Sequence, residues 1–167
     1  MREYYYIVSS LPMLEFGEKP TISYEDFLNS CRTQLSPCDM EIIEKADEWK
    51  EWGRFSIALR NEIAVFRAAK KSKDPAKYIH GDDNRDPLLI PSAHWAVNLD
   101  SPLEAERFLD QLRWEKLEEL SKCHYFDIDF LVTYALKLQI LERWQTINSQ
   151  DGMQVLESLA KETSSTA

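Results

Sequence analysis

Glycine and proline are scarce in this chain, 4 and 7 of 167 residues, where average usage of about 7% and 5% would give nearly twice as many. A chain with so few turn formers favours long helices over many short strands. No stretch approaches the roughly 18 to 20 continuous apolar residues of a spanning helix, so membrane association is expected only through another protein. The three cysteines, Cys31, Cys38 and Cys123, include no Cys-x-x-Cys pair, which argues against a thiolate zinc site and for reduced, intracellular thiols. Export is not expected either, because the apolar stretch Tyr4 to Val8 meets Ser9 and Ser10 before it is long enough for a signal peptide. Gly17, Gly53, Gly81 and Gly152 stand too far apart for a phosphate-cradling loop. Basic residues number 20 against 29 acidic, a formal charge of −9, and without a long basic run a nucleic-acid partner is not expected.

What remains is an ordinary globular balance, 44% hydrophobic and 29% charged, and a helical pattern. Tyr4 to Leu11 leaves helix and strand open, and the reading taken is helix, with a loop from Leu14 to Ile22. Ser23 with Asp26 three residues on predicts a helix start, as do Ser36 followed by Pro37, and Ser101 followed by Pro102 and Glu104. From Ile42 through Trp49 and Trp52 to Phe66 the apolar residues recur every three or four positions, with Gly53 either kinking one long helix or separating two. Phe108, Leu109, Leu112, Leu117 and Leu120 give a further helix its inward face. Asp127 or Asp129 opens the next, so apolar around its girth that burial by more than one neighbour is expected. Met153 to Ala160 predicts a last short helix before a flexible tail at 163–167. The expectation is an all-α single domain, 1–167, of about six helices packed around Trp49, Phe66, Leu112, Tyr134, Leu138 and Leu141. One long loop is expected near 72–100, with a short element at Pro91 to Val97.

Few side chains invite chemistry. Cys123 and His124 with a loop carboxylate such as Asp86 would make a nucleophile, a base and an orienting group, but neighbours in sequence seldom face one another and helix-end packing is the plainer reading. Asp82, Asn84 and Asp86 copy the first ligand spacing of a calcium loop, then fail where glycine and glutamate belong, at Pro87 and Ala93. No catalytic residue, cofactor or metal is therefore expected. The informative polar set is Arg54, Arg60, Asn61 and Arg67. Asn61 sits among small and apolar neighbours and must find hydrogen-bond partners, while Arg60 and Arg67 share a face with Ala64. They either pair with carboxylates of an adjacent helix or present a patch to a partner. Trp144 joins them as a candidate interface anchor. Lys70, Lys71 and Lys73 suit the negative end of a helix.

Three phrases carry a family resemblance. They are Tyr4-Tyr5-Tyr6-Ile7-Val8-Ser9-Ser10-Leu11-Pro12, the pairs Arg60-Asn61 and Arg67-Ala68, and Tyr125-Phe126-Asp127-Ile128-Asp129 running into Tyr134 to Trp144. Together they resemble a bacterial family encoded alongside V/A-type ATPase subunits. More remotely the pattern is similar to the C-type (or d-type) stalk component of those ATPases, a helical socket that seats the rotor shaft, although this chain is much shorter and shows no repeat. The resemblance implies an all-helical, non-catalytic stalk component or assembly factor, with other V/A-type ATPase subunits as partners. It places the protein in the cytoplasm, peripheral to the inner membrane through that complex. A free-standing helical adaptor, or a small enzyme using Cys123 and His124, are the alternatives.

Overall fold

A computed structural model describes residues 4–81 and 86–148, and among them every regular element is helical. Seven α-helices run in order: α1 Tyr5–Ser10, α2 Tyr24–Gln34, α3 Pro37–Glu44, α4 Lys50–Lys70, α5 Ile90–Asn98, α6 Pro102–Ser121 and α7 Ile128–Asn148. The all-α class expected from the pattern is what is found. The predicted helix at Met153 to Ala160 and the tail at 163–167 lie outside the described residues.

The helix starts obey local chemistry. Ser23 and Asp26 form a reciprocal capping box at α2, satisfying two backbone donors that the first turn leaves open. Ser101 accepts from the Glu104 N–H at α6, with Pro102 in the first turn where its missing donor costs nothing. Asp127 accepts from the Phe130 N–H at 3.0 Å and so caps α7. At the other end of α4, Ser72 takes a left-handed φ of 52°. Its N–H reaches Ala69 O and the Lys73 N–H reaches Ala68 O, the paired bonds of a Schellman ending.

Two expectations are corrected. The chain does not break at Gly53, which lies inside α4. It breaks earlier, in a 3-10 turn over Ala46–Glu48, and that turn preserves the three-residue recurrence of apolar positions, so periodicity alone could not reveal it. The stretch 72–100 is more ordered than one long loop, and the short element expected at Pro91 to Val97 is found there as α5. Short 3-10 turns at Pro75–Lys77 and Pro87–Leu89 punctuate it, each capped by the preceding aspartate, and α5 occupies its last part. The prolines that suggested a loop sit at first-turn positions, which helices tolerate.

The helices gather into two compact units. In the first, α2 packs on α1 and α7. Phe27 of α2 is fully buried, its ring 5.3 Å from that of Tyr134 on α7. The Tyr134 hydroxyl donates to Pro12 O at 2.8 Å, tying down the segment after α1, while Glu142 accepts from the Tyr24 N–H at 2.6 Å. Along α7 the six consecutive residues Leu131 to Leu136 are all buried, as its apolar girth predicts. In the second unit α4, α5 and α6 enclose Leu59, Ile63, Leu89, Ala93, Ala96 and Leu109, with Phe55, Phe66, Phe108 and Leu112 packed against them. Of the expected core, Tyr134, Leu138 and Leu141 are buried, whereas Trp49, Phe66 and Leu112 are half-buried.

Candidate functional site

The residues singled out on α4 fall into two environments, separated by helix geometry. Positions 60, 64, 67 and 71 lie at i, i+4, i+7 and i+11, within about 40° of one line along a 3.6-residue helix. Arg60, Arg67 and Lys71 are exposed and Ala64 is half-buried between them. Neither Arg60 nor Arg67 makes an ion pair among the described residues. The partly buried pairing with an adjacent helix, one of the two readings of these arginines, is thus not what the side chains do. Arg54 is exposed as well, about 120° away from that line.

Asn61, one residue on from Arg60, turns about 100° into the protein and is fully buried. Its Nδ2 donates to His80 O at 2.9 Å and its Oδ1 accepts from the His80 N–H at 3.0 Å. One side chain thereby stands in for a β-type backbone partner and fixes the stretch entering Gly81, where φ is +78°. Glu62 is buried next to it, and no described buried side-chain nitrogen or oxygen lacks a hydrogen-bond partner. The need for partners at Asn61 was legible in its neighbours. Their identity was not, because a backbone amide 19 residues on leaves no mark in sequence.

Basic side chains continue past the end of α4. Lys70 Nζ donates to Val97 O at 2.9 Å, pinning α5, while Lys71, Lys73 and Lys77 are exposed. From residue 54 to 77 there are seven basic side chains and two acidic ones. Of those two, Glu62 is buried and Asp74 caps the turn at Pro75 by accepting from the Ala76 N–H. An acidic protein therefore carries one locally basic outer surface. Trp144 lies in the other unit, half-buried on α7.

The residues of the nucleophilic alternative are each engaged locally. Cys123 is exposed and ends α6 with a left-handed φ of 72°. His124 Nδ1 faces Asp127 Oδ2 at 2.6 Å and Asp129 Oδ2 at 3.5 Å. The hydrogen bond to Asp127, with the charge of both aspartates, holds the imidazole's pKa above the ordinary 6.5, against the opposing effect of desolvation. Asp86 caps its own 3-10 turn, accepting from the Leu88 N–H. His124, Asp127 and Asp129 bring three ligand-type atoms within 4.8 Å, a set able to approach a cation. However, the Asp127 carboxylate is already shared between the imidazole and the α7 cap, where the helix dipole disfavours positive charge. Asp82 and Asn84 of the calcium-like spacing lie outside the described residues.

Sequence reasoning missed one surface. Tyr5, Tyr6, Tyr125 and Phe126 are exposed, and the Tyr5 ring lies 4.8 Å from Phe126 and 6.3 Å from Tyr6. The signal was present in the tyrosine-rich opening and in Tyr125-Phe126, two of the phrases that carry the resemblance, but their proximity is set by the tertiary fold.

Residues 95–164 match a family model described as "Protein of unknown function (DUF2764)". The match begins within α5 and takes in α6 and α7. No curated protein and no solved structure matches the chain. No helix among the described residues is long and apolar enough to cross a membrane.

Proposed function

We propose that this protein is a non-catalytic component or assembly factor of a V/A-type rotary ATPase, working through contacts between helices. The observation that carries a docking role is the outer face of α4, where Arg60 and Arg67 are exposed without ion-pair partners while Asn61 locks the same helix from within. Arginine is enriched where proteins bind one another, and a docking helix must itself be held firmly if it is to pass load to its neighbours. The ATPase assignment rests on the resemblance of the tyrosine-rich opening, the α4 pairs and the start of α7 to the family encoded with those subunits. In this reading the protein reaches the inner membrane from the cytoplasm, through the complex alone. Affinity purification of the tagged protein from its own cells tests it: ATPase subunits should co-purify in stoichiometric amount, and their absence would sink the assignment.

A further inference from the structure

We infer that the outer face of α4 and the turn after it form a docking surface for an acidic helix of a partner protein. The inference names the partner chemistry for the face invoked above, and its ATPase arm alone rests on that reading.

Charge distribution carries the argument. The segments of the first unit hold six basic against thirteen acidic side chains, while the second holds fourteen against sixteen. Within the second, the surplus of positive charge concentrates between residues 54 and 77. Arg60, Arg67, Lys71, Lys73 and Lys77 are all exposed there, and none forms an ion pair among the described residues. Of the two acidic residues of the stretch Glu62 is buried, while Asp74 is exposed and caps the turn at Pro75, which leaves a clear surplus of positive charge on the surface. Unneutralised like charges held together on a rigid element repel one another, and an anionic partner relieves that cost.

Shape decides which anionic partner fits. Arg60 and Arg67 are two helical turns apart, about 10 Å along the axis, and Lys71 extends the row to about 16 Å. Between the arginines sits Ala64, and before them Ser56, with Gly53 one further turn back, while the larger Ile57 at the edge of this face lies beside Gly81. Small residues let a second helix approach to the 8–10 Å of ordinary helix packing, with its carboxylates in reach of the arginines on the same repeat. A membrane surface fits less well. The row on α4 itself carries no aromatic residue, the exposed Tyr78 lying beyond the turn, and a chain of net charge −9 is repelled by anionic lipid.

The probe is a synthetic Ala-rich helical peptide with Glu on a seven-residue repeat and Leu beside it, read by fluorescence anisotropy against the full chain. Binding should weaken as salt rises. Reversal in R60E/R67E should lower affinity by about tenfold or more, and should create binding to the same peptide with Lys in place of Glu. Both sites are exposed, and the neutral R60Q/R67Q, checked by its melting temperature, supplies a variant with less risk to folding. Equal binding by wild type and R60E/R67E would overturn the inference, as would wild-type binding to phosphatidylglycerol vesicles in preference to the peptide at matched salt. Co-purification separates this claim from the one it deepens. ATPase subunits recovered equally with wild type and R60E/R67E would refute the docking surface and leave the proposed function standing. Arginine-dependent peptide binding without ATPase recovery would do the reverse.

Discussion

Asn61 and His80 are joined by a two-way amide-to-backbone clamp, 2.9 Å in one direction and 3.0 Å in the other. The side chain is fully buried, so its own amide has no solvent to turn to if the clamp is broken. Asn61→Asp keeps the shape but removes the donor and sets a carboxylate against the His80 carbonyl, an unsatisfied acceptor facing a buried charge. The expected loss is about 2–3 kcal/mol of unfolding free energy. Asn61→Ala should cost about 1–3 kcal/mol by leaving both His80 groups unpaired. Urea denaturation followed by circular dichroism measures both, and a change within about 0.5 kcal/mol would show that the clamp is dispensable.

The turn between α6 and α7 should respond to pH through His124. Its folded-state pKa lies above the ordinary 6.5, chiefly because Nδ1 bonds Asp127. A group whose pKa is raised on folding contributes stability below its unfolded pKa and loses it as pH climbs through the folded value. Stability from this pair should therefore be intact at pH 6 and decline from just above 6.5 upward. Because the ring is substantially exposed, the effect belongs to the turn and not to the global melting point. An NMR titration of the His124 ring should give a pKa that falls toward 6.5 in Asp127→Asn, which keeps a capping side chain while removing the charge. An unchanged titration in that variant would show that Asp127 is not the cause.

How far these features were readable differs from one to the next. Helix starts at Ser23, Pro37 and Pro102 were legible because a cap is a local bond between residues three apart. The end of α3 was not, since a 3-10 turn at Ala46–Glu48 keeps apolar residues in step with the helices on either side. The short element in the proline-rich stretch was sensed around Pro91, yet its extent was hidden because first-turn prolines look like loop prolines in sequence. On α4 the spacing of Arg60 and Arg67 gave their common face directly. Whether they found partners depended on which carboxylates the tertiary fold brings near, and among the described residues neither arginine forms an ion pair.

Gly53 offers a stabilising substitution. It sits in the first turns of α4, its N–H bonded to Trp49 O at 2.7 Å, and a Cβ built there meets nothing within 4 Å. Glycine in a helix costs about 0.5–1 kcal/mol relative to alanine, because the unfolded chain gives up more freedom. Gly53→Ala should raise stability by about that amount and leave the fold unchanged. A fall in the urea midpoint would mean that the position needs glycine for a reason other than helix geometry.

The three thiols should react in two classes. Cys31 is fully buried between α2 and its neighbours, and desolvation pushes its pKa up to about 12, against a smaller lowering by Arg32. A thiol both shielded and protonated is a poor nucleophile, since the thiolate is the reacting species. Cys38 and Cys123 are exposed. Titration of the native protein with Ellman's reagent at pH 8 should therefore modify two thiols promptly, with the third appearing only in denaturant. Peptide mapping should place that third one at Cys31. Prompt modification of all three would mean that α2 opens on the timescale of the reaction, which its packing against Tyr134 through Phe27 argues against.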